Sequence, residues 1–192
     1  MLREFIDFVE GVLPSVSPDL RDGAKNAILQ FKQEEKDIQY ISNELLEEVS
    51  QGDILSKVPF SYYDENGLQS SFSADAMILS TSCNIDQKPK IVMAPVFPMD
   101  AFNGNVGELK KNTIFDYMYI DDIKLRNHFV DFSTLNTFNK KLISDGLKTG
   151  KIIRKVSLNQ LGYYFLVIKL TIYFMRKEDP DTLGNRLENM NV

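Results

Sequence analysis

Cysteine and histidine each occur once, as Cys83 and His128. One cysteine excludes a disulfide framework, and one histidine excludes any metal site built on two imidazoles. The chain also lacks a glycine-rich phosphate loop, a Gly-x-Ser-x-Gly elbow and a Cys-x-x-Cys pair. It has no internal repeat and no low-complexity segment. Long apolar runs are missing too. The best stretch, Leu158 to Met175, contains Asn159, Gln160 and Lys169, so it falls short of the ~20 largely uncharged residues of a membrane span. Glu4, Asp7 and Glu10 interrupt the first sixteen residues, which therefore do not read as a secretory signal. These absences set the expectation of a soluble, cytoplasmic protein, and the lone thiol suits a reducing compartment.

What is present is enough for one core. The 192 residues are 43% hydrophobic and include thirteen Phe and eight Tyr, which excludes disorder as the default state. A single domain, or one domain with a helical appendage, fits this length. The net charge of −5 is unevenly spread. Residues 1–52 carry eleven acidic groups against five basic ones, a balance of −6. Residues 140–177 carry nine basic groups against Asp145 alone, a balance of +8. Such a local field attracts a polyanion even on an acidic protein, although a lysine run is also an ordinary solvated surface.

The first fifty residues read as helices. Phe5, Phe8, Val9 and Val12 form one stripe, Leu20, Ala24, Ala27, Ile28 and Phe31 a second, and Ile38, Ile41, Leu45 and Val49 a third. After Gly52 the pattern turns to short strands. Asp53-Ile54-Leu55 opens the first, and Asp64-Glu65-Asn66-Gly67 predicts a hairpin turn between Tyr62-Tyr63 and Leu68. Ala76–Ser80, Ile91–Val96, Phe115–Ile120, Phe129–Phe132 and Lys151–Val156 are further strands, with 98–112 read as loop. Ser157 is expected to cap a helix reaching about Lys177. The apolar residues of that helix point nearly all round, so burial on several sides is expected. The residues after Pro180 read as a loose polar tail. The fold class is mainly β with helices (α+β), a small, strongly bent sheet or barrel.

Several residues invite chemistry. Cys83, in the polar run Ser80-Thr81-Ser82-Cys83-Asn84, is a possible nucleophile with His128 as its only histidine base. The residues alone favour the structural reading of both, Cys83 as a small half-buried hydrophobe and His128 as a hydrogen-bonding group before a strand. Asp116, Asp121, Asp122 and Asp53 are candidate Mg²⁺ ligands, but adjacent aspartates in a strand point to opposite faces. Phe60, Tyr62, Tyr63, Phe72 and Phe97 are a possible base-stacking platform, or simply sheet residues.

Four segments, in order, resemble the MazF/PemK (Kid/CcdB-like) toxin family. Gln51-Gly52-Asp53-Ile54 is similar to its opening Arg-Gly-Asp-Ile strand, and Ala76–Ser80 to its second strand. Ile91–Val96, reading IVMAPV, is similar to its V-V-A-P-I strand, and Val130–Phe138 to the late strand before its last helix. Lys151–Ser157 runs into the last helix in the same way. The resemblance implies an SH3-like MazF/PemK-type β-barrel with a C-terminal helix over 51–177; outside it lie the acidic helical extension over 1–50 and a flexible tail over 178–192, both read from the sequence pattern. The resemblance also implies a homodimer, no cofactor, and metal-independent cleavage of single-stranded RNA by an arginine before the second strand and a threonine closing the third. A fixed cation and a hydroxyl at those places would favour the pentacoordinate transition state. The chain carries Ala74 or Asp75 at the first place and Phe97 at the second, with Asn136 where the late strand's RNA-contacting arginine stands. The expected function is thus a catalytically degenerate member binding nucleic acid or a protein partner, in a bacterial stress, toxin–antitoxin or phage-defence setting.

Two alternatives stay open. An active endoribonuclease with a relocated site would draw its cation from Lys140, Lys141, Lys151, Arg154 or Lys155 and its hydroxyl from Ser80, Thr81 or Thr137. A pure protein-interaction module would need neither. Nucleic-acid contact would fall to Lys140, Lys141, Lys148, Lys151, Arg154 and Lys155, and the acidic N-terminal segment could cover them as an internal competitor.

Overall fold

Alternating apolar residues after Gly52 build strand β1 (Ile54–Tyr63), which turns back into β2 (Gln69–Ile78). The turn is fixed by its own chemistry. Asp64 Oδ1 accepts from the amides of Asn66 and Leu68 at 2.9 and 2.8 Å, and Gly67 takes a φ of +75° that few other residues adopt. A computed structural model of the protein describes residues 39–125, 127–175 and 179–188. The helical readings over Phe5–Val12 and Leu20–Phe31 lie outside them.

The remaining strands are β3 (Lys90–Pro98), β4 (Tyr117–Tyr119), β5 (His128–Asp131), β6 (Asn136–Asn139) and β7 (Arg154–Val156). All pairs are antiparallel, in the order β4-β5-β3-β2-β1-β7. β6 pairs with the Lys90 half of β3, while β5 occupies the Pro98 half of the same edge. Among the described residues five helices accompany them: α1 (Ser82–Gln87), α2 (Val106–Lys110), α3 (Lys140–Lys148), α4 (Gln160–Phe174) and α5 (Pro180–Glu188). The architecture is mixed α+β around a seven-stranded sheet.

The period-2 alternation divides the core between two faces. Ile54, Met77, Ala94, Val96 and Val130 pack with Leu158 and with Leu166 of α4. Leu55, Val58, Phe60, Ala76, Ile91 and Met93 pack with Ile143 and Leu147 of α3 and with Ile152. The sheet is curled, though its backbone pairing does not close. The Phe60 ring on β1 meets Phe138 of β6 edge-on at 5.3 Å, although β2 and β3 separate their strands. At the same seam Asn136 accepts from Ser61 N at 2.8 Å and donates to Ser61 O at 3.0 Å. One side-chain amide thus stands in for a backbone pair.

Several expectations are corrected. Residues 39–50 are not helical; they form a strap whose backbone groups find partners on the body, which overrides the helical stripe. The amides of Tyr40 and Ile41 donate to Asp122 Oδ2 at 3.3 and 3.2 Å, and Ser42 N donates to Ser157 O at 2.9 Å. Lys124 Nζ donates to the carbonyls of Ser42 and Asn43. Ser157 is therefore not the cap of α4. It is buried, and its Oγ accepts from Leu46 N, while Asn159 caps the helix by accepting from Gly162 N at 2.9 Å. The late strand Val130–Phe138 is two strands, divided by a 3-10 turn at Phe132–Thr134. The loop readings around Cys83 and over 98–112 contain α1 and α2, and Pro180–Glu188 of the polar tail forms α5.

The strap crosses α4 at Gly162. A Cβ there would lie 2.1 Å from the Tyr40 carbonyl oxygen, so Gly162→Ala must push the strap off the helix. We expect a loss of about 2–3 kcal/mol in urea unfolding, with new proteolytic cleavage inside residues 39–50. An unchanged midpoint and cleavage pattern would contradict this packing.

Candidate functional site

The β2–β3 register sets Asp75 opposite Val96 and Ala76 opposite Pro95, so Ala74 comes beside Phe97. The two positions that the resemblance gives to an arginine and a threonine therefore meet on neighbouring strands. They present a methyl group and a phenyl ring, and neither stabilises an anion. Around them lies a groove of about 260 Å³ lined by Lys57, Ser73, Ala74, Asp75, Phe97 and His128, among others. A register shift between Leu55 and Val58, with a φ of +58° at Lys57, turns that side chain outward. Asp75 Oδ2 is paired with Lys155 Nζ at 2.6 Å. His128 enters from β5, opposite Pro98.

Aromatic rings run on from this groove across the sheet. Phe72 stacks on Phe60 at 5.5 Å and touches Tyr62 at 6.0 Å and Phe97 at 5.6 Å. Phe97 meets Phe129 at 6.1 Å. The register explains the stripe, since Phe60 faces Phe72 and Phe97 faces Phe129. Four of the five aromatics singled out in the sequence are thus contiguous, while Tyr63 stands apart and 73% exposed. Sequence reasoning missed Phe129, Tyr117 and Phe102. The first two occupy strand segments that were recognised, so their aromatic character was a usable signal. Phe102 follows the short 3-10 turn after β3 and gave none.

These rings open a second pocket of about 440 Å³, lined by Phe97, Phe102, Gly104, Tyr117, Phe129 and Asp131, among others. Asp131 is held rigidly: Oδ1 accepts from Ser133 N and Oγ at 2.8 and 2.6 Å, and Oδ2 from Thr134 Oγ1 at 3.2 Å. Burial raises the Tyr117 hydroxyl above its ordinary pKa, and the carboxylates of Asp131 and Asp116 push the same way.

The basic segment is largely committed elsewhere. Arg154, its side chain 13% exposed, pairs with the fully buried Asp53 at 3.4 Å and donates to the Leu46 carbonyl. Burial still holds the Asp53 carboxyl above its usual range, against the lowering effects of Ser157, Ser50 and Arg154. Lys155 is the partner of Asp75. Lys141 bridges Asp145 within α3, and Lys140 Nζ donates to the Asp86 carbonyl. Lys148 and Lys151 are exposed at the end of α3. Lys140 and Lys141, at the start of α3, sit by the Lys90 end of β3, where Lys90 faces Asn139, whereas Lys151 leads into Ile153, whose amide donates to Ser56 Oγ beside Lys57. The aromatic pockets lie at the Pro98 end, roughly 25 Å away at ~3.3 Å per residue. Thr137, opposite Val92, and Thr81, next to the Ser80 hydroxyl that accepts from Val92 N, belong to the lysine end. Cys83 is there too, exposed on α1, so the structure does not bring it to His128. Asp122 is spent on the strap, and among the described residues no three His, Cys, Asp or Glu groups converge as metal ligands.

Lys169 is buried in α4, 4% exposed, and donates to the Ile114 carbonyl at 2.8 Å and to that of Asn112 at 3.3 Å. Burial lowers its pKa to about 8, against a raising effect of Asp116. Among the described residues no helix is long and apolar enough to cross a membrane. No protein-family model matches the sequence, and no curated protein matches it.

Two outcomes follow from these pairings. Arg154→Ala leaves the Asp53 charge buried and unpaired, and should cost roughly 3 kcal/mol; Lys155→Ala, at a half-exposed pair, should cost less than about 1 kcal/mol. Equal losses in denaturant titrations would contradict the assignment of Arg154 to the core. Below pH 8 Lys169 is charged in folded and unfolded chains alike, and its burial penalty is fully present. Between that value and the unfolded pKa of about 10.4, only the unfolded chain keeps the proton. Stability should therefore rise with pH, with a limiting slope of about 1.4 kcal/mol per unit. Unfolding curves from pH 7.5 to 9.5 should show this rise, and Lys169→Met should abolish it.

Proposed function

We propose that the protein is a MazF/PemK-like, SH3-type curled sheet without the family's cleavage chemistry, acting as a binding module whose aromatic groove receives an extended segment of a protein partner. Support for the fold comes from the order of the resembling segments, which fall on the start of β1, on β2, on β3 and on β5–β6. The Asn136 seam that draws β6 to β1 is further support. A homodimer and a stress, toxin–antitoxin or phage-defence setting rest on the resemblance alone.

The functional reading is carried by the larger aromatic pocket, where Asp131 is the charged group among the described lining residues; the groove beside it holds Lys57 as well as the Lys155-paired Asp75. The Asp75 and Asp131 carboxylates stand among the rings. Arg154 and Lys155 are consumed by internal ion pairs, and Lys140 and Lys141, at the start of α3, lie at the other end of β3. A nucleic-acid strand laid on the rings of the larger pocket would carry its phosphates past the Asp131 carboxylate. A peptide with apolar and basic side chains finds stacking surface and charges of suitable sign. The exposed lysines beside α3, with Thr81 and Thr137 at the same end, favour the competing reading of an RNA site there.

The test compares mixed-sequence single-stranded RNA, in EDTA at low and high salt, with peptides selected from a random library, both against the full chain. We expect no cleavage, at most weak salt-labile RNA binding, and selected peptides that lose at least about tenfold in affinity on Phe97→Ala. Tyr62→Ala, at the exposed end of the stripe, serves if the first variant is unstable. RNA cleavage abolished by Lys140→Ala, or tight RNA binding lost with Phe97→Ala, would overturn the proposal.

A further inference from the structure

We infer that the pocket walled by Phe102, Tyr117, Phe129 and Asp131 is a receptor for an arginine side chain. The inference rests on the binding-module reading and names the residue that the groove's partner presents.

Three rings meet there as the corner of a box. Phe102–Tyr117, Phe102–Phe129 and Tyr117–Phe129 have centroids 5.3, 5.5 and 5.3 Å apart and planes at 80°, 70° and 87°. Phe97 extends one wall, 6.1 Å from Phe129. Mutually perpendicular rings offer π-faces in more than one direction, and each face attracts a cation. Among the described residues, the only charged group in the lining is a carboxylate. Asp131 is 9% exposed, and no cation among the described residues is paired with it.

The geometry of Asp131 narrows the guest further. A carboxylate offers about four acceptor positions. Ser133 N, Ser133 Oγ and Thr134 Oγ1 occupy three of them, two at Oδ1 and one at Oδ2. One acceptor position therefore remains, on Oδ2, while the full negative charge stays fixed in place. A phosphate or carboxylate guest is repelled, and a purely apolar guest leaves that charge without a counter-charge.

Among cations, arginine fits better than lysine. Its planar guanidinium can lie flat on a ring while one in-plane N–H reaches sideways to a single acceptor. An ammonium would use one of its three strongly hydrated donors on Asp131 and turn the others toward the rings. The volume of about 440 Å³ lies within the range of pockets that enclose a guest group. Burial is the main cause of the raised pKa of Tyr117, and the Asp131 and Asp116 carboxylates add to it.

The experiment titrates N-acetyl-arginine amide, N-acetyl-lysine amide and N-acetyl-citrulline amide into isotopically labelled full chain, reading NMR shifts. Arginine should move the signals of Phe102, Gly104, Tyr117 and Phe129. It should bind about tenfold more tightly than citrulline, its neutral isostere, more tightly than lysine, and less tightly in high salt. Asp131→Asn keeps an oxygen for the Ser133 amide and should bring arginine down to the citrulline level. If that variant does not fold, Phe102→Leu removes one ring wall and should weaken arginine binding to the same extent. Citrulline binding as tightly as arginine, or arginine shifts centred on Asp75 instead, would overturn the inference. Library-selected peptides that bind the groove but ignore Asp131→Asn defeat the arginine pocket and spare the binding module. Arginine binding by a chain that takes no peptide defeats the module and spares the pocket.

Discussion

Asp131 is the residue on which the arrangement turns. Its carboxylate holds the Phe132–Thr134 turn through Ser133 and Thr134, and that turn lets two short strands share one edge of β3. With β5 taking one half of the edge and β6 the other, the sheet has to bend between them. The bend brings Asn136 to Ser61 on one side and sets Phe129 beside Phe97 on the other. The charge that organises the turn also stands in the wall of the larger pocket, so fold and binding surface draw on the same group.

Charge elsewhere serves a similar structural end. The excess of basic residues after Lys140 looks like a surface for polyanions when read as a string. In three dimensions Arg154 neutralises a carboxylate removed from water, Lys155 meets Asp75, and Lys169 is enclosed in a helix whose neighbours supply carbonyl oxygens. A formal balance counts such groups equally with exposed ones. The field available to a ligand depends on those left facing solvent, and here they gather beside α3.

Strand texture was legible because it rests on local rules. The Asp64–Gly67 turn, the apolar runs of β2 and β3 and the existence of a terminal helix all follow from side chains acting on their own backbone. The strap was illegible for the opposite reason. Ile41, Leu45 and Val49 keep helical spacing, but Asp122 and Ser157, more than eighty residues away, supply better partners for that backbone. The division of Val130–Phe138 was hidden because a single aspartate cap decides it. For the site, the meeting of Ala74 with Phe97 and the continuity of Phe60, Tyr62, Phe72 and Phe97 could be anticipated. The contribution of Phe102 could not, since it depends on how the connection between β3 and α2 folds back. Arg154 looked available only because its partner, Asp53, lies a hundred residues earlier.

The strap has a consequence for the order of events during synthesis. Residues 39–50 leave the ribosome before every element that holds them: Asp122, Lys124, Ser157 and the Gly162 turn of α4. Until Asp122 has emerged, the Tyr40 and Ile41 amides have no native partner, and until α4 follows, the core that Ile41 enters lacks Leu158 and Leu166. A segment that precedes all the strands is therefore among the last to dock. At ~5–20 residues per second, it waits several seconds with its apolar side chains uncovered. Its many acidic neighbours, Glu44, Glu47 and Glu48 among them, keep it solvated during that interval.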